Sequence, residues 1–118
     1  MSLCLAVGGK VLTMAVTAFT LSWTHTVEKT TWSESWQVLP EGLTIVSARV
    51  EGSGAGMEPP PDAVSDGTGW TYRPELPAQP RVVLANSAEG GTWRLCGGDE
   101  CLTLGGTGGA PIVLEPCR

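Results

Sequence analysis

The sequence FTLSWTHTVEKTTWSESWQV, residues 19–38, alternates apolar and polar side chains along two successive runs. The odd-numbered positions of the first run place five side chains on one face: Phe19, Leu21, Trp23, His25 and Val27. The even-numbered positions of the second run do the same for Trp32, Glu34, Trp36 and Val38. Because side chains point alternately to the two faces of a β-strand, this pattern predicts two amphipathic strands that form a hairpin.

Short strand-like runs recur along the rest of the chain and are separated by turn residues. They comprise residues 3–7, 11–16 and 43–50 and the segments WTYRP, RVVLANS, TWRLC, CLTLG and PIVLEPC. No window repeats apolar residues with the period of a helix, and the 16 glycines and 9 prolines favour turns. We therefore predict that residues 1–118 form one all-β domain, a small antiparallel β-barrel or sandwich of about eight to ten short strands.

The N-terminal segment MSLCLAVGGKVLTMAVTAFTLSW has two interpretations. It is apolar enough to resemble a signal peptide, but it lacks the positively charged start of one, and Lys10 interrupts the apolar run. We expect two strands joined by Gly8-Gly9, with the signal peptide as the alternative. A membrane span needs about 20 apolar residues without such a break, so direct membrane insertion is not expected.

A polar pair is predicted within the hairpin. With residues 29–30 as a two-residue loop, His25 lies opposite Glu34 and Trp23 lies opposite Trp36. A histidine and a carboxylate on an otherwise apolar face would form a hydrogen-bonded pair. Three roles stay open for it: a structural pair that fixes the register, the polar anchors of a tryptophan-walled binding pocket, or a catalytic or metal centre.

A second candidate is the segment EGSGAGMEPPP, residues 51–61, whose glycines at alternate positions would permit close approach by another molecule. It is not a phosphate loop, because its prolines block the helix that should follow. The candidate residues for ligand or partner binding are Trp23, His25, Glu28, Trp32, Glu34, Trp36, Gly54 and Gly56.

Several function classes are disfavoured by composition. The net charge is −5 and the seven basic residues are dispersed, so the chain has no basic patch for nucleic acid. It contains one histidine, no G-x-S-x-G and no Walker sequence. We therefore expect no enzymatic activity, no cofactor and no metal, with a metal-dependent enzyme centred on His25, Glu28 and Glu34 as the alternative.

The four cysteines suggest two disulfides. Cys96 and Cys101 flank the sequence GGDE, so a tight hairpin would bring them together. Cys4 and Cys117 lie near the two ends and would pair if the first and last strands are neighbours. Disulfides favour an extracytoplasmic location, whereas the missing signal peptide favours the cytoplasm, so the compartment stays open.

The motifs together resemble the bacterial DUF1850 family over nearly the whole chain. The most specific part is His25-Thr26-Val27-Glu28 followed by Trp32-Ser33-Glu34, together with GSGAGMEPP, WTYRPELP, RVVLANS and LCGGDECLTL. The resemblance implies no assigned reaction. Genes of this family commonly lie beside those of TAXI-type TRAP transporters, which import small organic acids with the help of a solute-binding protein. The resemblance therefore implies an accessory or binding module that contacts the permease, the solute-binding protein or the organic-acid solute.

Overall fold

The computed structural model describes residues 1–24, 30–51 and 62–118. Within these ranges the chain forms strands β1 (Ser2–Val7), β2 (Lys10–Met14), β3 (Ala18–Thr24), β4 (Thr31–Leu39), β5 (Gly42–Glu51), β6 (Val64–Ser65), β7 (Gly69–Tyr72), β8 (Val82–Leu84), β9 (Thr92–Gly97), β10 (Glu100–Gly105) and β11 (Ile112–Cys117). They make two open antiparallel sheets, a small one ordered β2-β1-β11-β8 and a large one ordered β10-β9-β3-β4-β5-β7-β6. The predicted all-β fold is confirmed as a sandwich, not as a closed barrel.

The small sheet contains both ends of the chain. β1 and β2 form the predicted hairpin, whose turn residues Gly8 and Gly9 have φ angles of 56° and 82°. A two-residue hairpin turn requires such left-handed conformations, which explains glycine at both positions. β1 also pairs with β11, with Leu5 opposite Leu114. The first and last strands are therefore neighbours, as the proposed terminal disulfide requires.

A bulge in β5 sets which side chains of the large sheet face inward. Ser35 pairs with Ser47 and Trp36 pairs with Ile45, which leaves Val46 without a partner on β4. The extra residue reverses the alternation along β5. As a result Ile45 on one side of the bulge and Ala48 on the other both face the core.

Aliphatic and aromatic side chains from both sheets fill the space between them. The small sheet contributes Leu3, Leu5, Met14, Leu84, Ile112 and Leu114, and the large sheet contributes Phe19, Leu21, Trp36, Val38, Leu43, Ile45, Ala48, Leu95 and Leu104. No polar or charged residue is fully buried among the described residues. The apolar faces predicted within residues 19–38 therefore contribute Phe19, Leu21, Trp36 and Val38 to the core, whereas Glu34 is only partly buried.

The predicted register of the β3–β4 hairpin is wrong. Trp23 pairs with Trp32 rather than with Trp36, and Glu34 pairs with Leu21 rather than with His25. A two-residue loop at residues 29–30 is excluded, because Thr31 pairs with Thr24 and not with Glu28. Since the register differs by an even number of residues, each described side chain keeps its predicted face.

The described residues form eleven strands, one more than the upper end of the predicted range. β6 lies between the predicted run 43–50 and the predicted segment WTYRP, where no strand was expected, and it pairs with β7. A strand of two residues is too short to show an alternation in the sequence.

Both predicted disulfides are present, Cys4–Cys117 and Cys96–Cys101. None of the described segments forms a helix that is long and apolar enough to cross a membrane.

Candidate functional site

Half-buried tryptophans gather at one end of the large sheet, on its inner face. They are Trp23, Trp32, Trp70 and Trp93, which we call the tryptophan end. Trp23 stacks on Trp32 with ring centroids 6.1 Å apart and planes within 11°. Trp93 approaches Trp23 from the other side, with centroids 4.9 Å apart and a tilt of 55°. Three rings thus form a continuous row across β9, β3 and β4.

The strand pairing extends this row to the fourth ring. Trp32 pairs with Val50 of β5, and Val50 pairs with Trp70 of β7. Val50 is almost fully buried between the two rings, which remain half exposed. Trp23 and Trp93 pack against the core, whereas Trp32 and Trp70 do not pack against that cluster within the described residues. The tryptophan end is therefore an extension of the apolar face beyond the part that the small sheet covers.

A hydrogen bond holds the ring of Trp93 in place at the tryptophan end. The indole N–H of Trp93 donates to the carbonyl oxygen of Ala85 at 2.9 Å. A buried or half-buried indole usually needs such a partner, and here the bond ties the ring to the segment after β8.

The turn that leads into Trp70 is fixed by a charged cluster on the outer face. Arg49 donates to the carboxylate of Asp66 at 2.9 Å and to the hydroxyl of Thr68 at 2.9 Å. Asp66 also accepts from the backbone N–H groups of Thr68 and Gly69. The Arg49 guanidinium, followed by the bonds from Thr68, holds the pKa of the Asp66 carboxyl far below its usual range. These contacts position the start of β7, and with it Trp70.

A carboxylate lies one row further into the sandwich. Glu34 is half-buried and sits between Leu21 and Ala48, and Ala48 pairs in turn with Tyr72. The indole N–H of Trp36 donates to Glu34 Oε1 at 3.1 Å. Burial raises the pKa of Glu34, and the bond from Trp36 opposes that rise. Burial also raises the pKa of Tyr72, and the nearby charge of Glu34 adds to the effect.

The structure brings together part of the predicted site. Trp23 and Trp32 are in contact, and Glu34 follows in the next row. Trp36 does not belong to an accessible surface, because it is buried and stacks on Phe19 with centroids 6.3 Å apart. The remaining predicted residues lie outside the described residues: His25, Glu28, Gly54 and Gly56.

Sequence reasoning missed Trp70, Tyr72 and Trp93. Trp70 and Tyr72 are two positions apart in WTYRP and so share a strand face, which was a usable signal. Trp93 carried no local signal, because only the pairing of β9 with β3, which are distant in sequence, places it beside Trp23.

Two of the open depressions that described residues line lie away from the tryptophan end. The larger has a volume of about 670 Å³ and includes Asp62, Arg73 and Glu75 in its lining. Its one basic residue is therefore accompanied by two acidic ones, which does not suit an isolated organic anion. The other, of about 460 Å³, borders Thr20, Ser35 and Cys96. Neither depression adjoins a metal centre, since no group of three or more His, Cys, Asp or Glu in residues 1–24, 30–51 and 62–118 is arranged to hold one.

The sequence profile of a family described as "Domain of unknown function (DUF1850)" matches residues 19–104. The chain belongs to the DUF1850 family. The match covers nearly all of β3 to β10, so the DUF1850 region contains the large sheet and all four rings of the tryptophan end. Strands β1, β2 and β11, which carry Cys4 and Cys117, lie outside it. Comparisons with curated proteins and with solved structures gave no match.

Proposed function

We propose that this DUF1850 protein is a small accessory module of a TAXI-type TRAP uptake system and that it binds a protein component of that system through the tryptophan end. The resemblance supplies the transport system, because genes of this family commonly accompany such transporters. The observation that carries the binding role is the row of half-exposed tryptophans on the inner face of the large sheet. Tryptophan is enriched among residues that dominate protein interfaces, since it buries a large apolar area at a low entropic cost.

The charge pattern favours a protein partner over the free organic-acid solute. The two rows that form the tryptophan end and its base contain one charged residue, the carboxylate of Glu34, and no basic residue among those described. An organic anion would lose hydration there and be repelled by the carboxylate. A protein partner with an apolar surface and a basic side chain at its centre fits this site, because the apolar surface would cover the tryptophan rings and the basic group would pair with Glu34.

The metal-dependent alternative depends on His25 and Glu28, which lie outside the described residues, so it stays a prediction. The predicted pairing of His25 with Glu34 is not its support any more, since Leu21 lies opposite Glu34 in the observed register. The binding role needs no such pairing, so it is the function that we propose.

Association is tested by purifying the tagged protein from cells that express the adjacent transporter genes. We expect the permease or the solute-binding protein to co-purify, and deletion of the DUF1850 gene to reduce uptake of the transported acid. Titration of purified protein with that acid, followed by tryptophan fluorescence, should show no saturable change. Saturable binding of the acid without any co-purifying component would replace the protein partner by the solute. If no component co-purifies and deletion of the gene leaves uptake unchanged, the proposal is overturned altogether.

A further inference from the structure

The disulfide of the β9–β10 hairpin lies at an exposed edge of the large sheet. Cys96 and Cys101 are directly opposite each other, and β10 is the outermost strand. Cys101 is exposed and Cys96 is half-buried. Leu95, the neighbour of Cys96, is fully buried in the core, so the disulfide projects from the opposite, outer face. It is therefore open to solvent and separate from the tryptophan end on the inner face.

A guanidinium group contacts one of the two sulfur atoms. Arg94 lies two residues before Cys96 on the same strand face, and its Nε–H donates to Cys96 Sγ at 3.5 Å. A neighbouring positive charge stabilises a thiolate, and a thiol with a lower pKa leaves faster in disulfide exchange. The two cysteines are thus unequal: Cys101 is the more exposed residue, and Cys96 is the better leaving group.

The second disulfide differs in each of these respects. Cys4 and Cys117 are both half-buried, and the side-chain contact of Cys4 Sγ is with the neutral hydroxyl of Thr13 at 3.7 Å. The Cys4–Cys117 disulfide joins residues 113 positions apart in the sequence, whereas the Cys96–Cys101 disulfide joins residues only 5 positions apart. Opening the hairpin bond releases almost no chain, because the pairing of β9 with both β10 and β3 holds the strand ends together.

We propose that Cys96–Cys101 is a thiol–disulfide exchange site that a dithiol reductant can open and reclose while the protein stays folded. A thiolate of the reductant attacks Cys101 Sγ, a new S–S bond forms there, and the Cys96–Cys101 bond breaks. The electron pair of that bond stays on Cys96 as a thiolate beside Arg94. The second thiolate of the reductant then attacks its own sulfur in the mixed disulfide and releases Cys101. The protein ends with two thiols after taking up protons, and the reductant ends as a disulfide.

The site is tested with dithiothreitol under native conditions, with alkylation at timed intervals and peptide mass spectrometry. We expect Cys96 and Cys101 to be alkylated at least about tenfold faster than Cys4 and Cys117. The near-ultraviolet circular dichroism of the tryptophans should persist after the hairpin bond has opened. Equal opening rates for the two disulfides, or loss of that signal when the hairpin bond opens, would overturn the proposal.

The role of Arg94 is tested with Arg94→Gln and with Arg81→Gln as a matched control at another exposed arginine. If the guanidinium lowers the pKa of the leaving thiol, its loss should slow opening by roughly two- to fivefold, because a thiol with a higher pKa leaves more slowly. Arg81→Gln should leave the rate unchanged. With glutathione as a monothiol, the trapped adduct should be on Cys101 and the alkylating label on Cys96. An adduct on Cys96, or equal rates in both variants, would show that the leaving group is assigned wrongly.

Discussion

Energetic coupling between Trp23 and Trp32 is the most specific consequence of the observed strand pairing. Their ring centroids lie 6.1 Å apart, within the range in which aromatic pairs contribute about 0.5–1.5 kcal/mol beyond their buried area. Trp23 also contacts Trp93 at 4.9 Å, so Trp23→Ala removes two ring contacts and Trp32→Ala removes one. We expect ring contacts alone to cost about 1–3 kcal/mol in the first variant and about 0.5–1.5 kcal/mol in the second.

The coupling is measured by urea unfolding of the two single variants and the double variant, followed by circular dichroism. The double variant should be more stable than the sum of the single effects implies, by about 0.5–1.5 kcal/mol. Trp23 with Trp36 is the control pair, because Trp36 lies opposite Phe19, about 13 Å along β3 from Trp23. The effects of Trp23→Ala and Trp36→Ala on the free energy of unfolding should add within about 0.5 kcal/mol. Coupling in the control pair, with none between Trp23 and Trp32, would refute the observed register.

Three further predictions concern other parts of the fold. Burial raises the pKa of Glu34 above its ordinary 4.5, so the ionised form of Glu34 is less favourable in the folded protein than in the unfolded chain. Glu34→Gln should therefore be more stable than the wild type at pH 7, and urea unfolding should show this difference fade as the pH falls below 4.5. Replacing Cys4 and Cys117 by alanine should lower the free energy of unfolding by about 4.8 kcal/mol, because this disulfide closes a loop with a sequence separation of 113. Removing the hairpin disulfide, with a separation of 5, should lower it by only about 2 kcal/mol. Equal losses would contradict the chain-entropy explanation. Gly42 has a φ of 145°, and a Cβ there would lie 2.5 Å from the carbonyl oxygen of Gln79; Gly42→Ala should cost about 1–3 kcal/mol in thermal or urea unfolding, and an unchanged stability would count against that close approach.

The sequence was sufficient to predict which face of β3 and of β4 is buried, because the alternation of apolar and polar side chains is a local property. It was also sufficient for the β1–β2 turn at Gly8-Gly9 and for both disulfides, since these depend on short spacings or on the meeting of the chain ends. The register was not predictable, because it depends on the length of the connection between strands. The unpaired Val46 of the β5 bulge was not predictable either, since a single extra residue leaves no compositional signal.

The candidate site shows the same division between local and distant information. Trp23, Trp32 and Glu34 could be assigned to one face from alternation alone. Trp93 and Trp70 join them through the order of strands in the large sheet, which no local pattern encodes. The residue predicted opposite Glu34 was wrong for the same reason, because Leu21 lies there and not His25. Within the described residues the indole N–H of Trp36, two residues away on the same strand, donates to Glu34.

The most direct test of the proposed function is the affinity of the purified protein for the permease or solute-binding protein that co-purifies with it. Trp32→Ala truncates a half-exposed ring at the tryptophan end, and Leu76→Ala is the control because Leu76 is 54% exposed between β7 and β8. We predict that Trp32→Ala weakens binding by about thirtyfold, as expected for a central interface residue worth about 2 kcal/mol, and that Leu76→Ala changes it less than about twofold. Equal affinities for the wild type and Trp32→Ala would contradict the assignment of the tryptophan end as the binding surface.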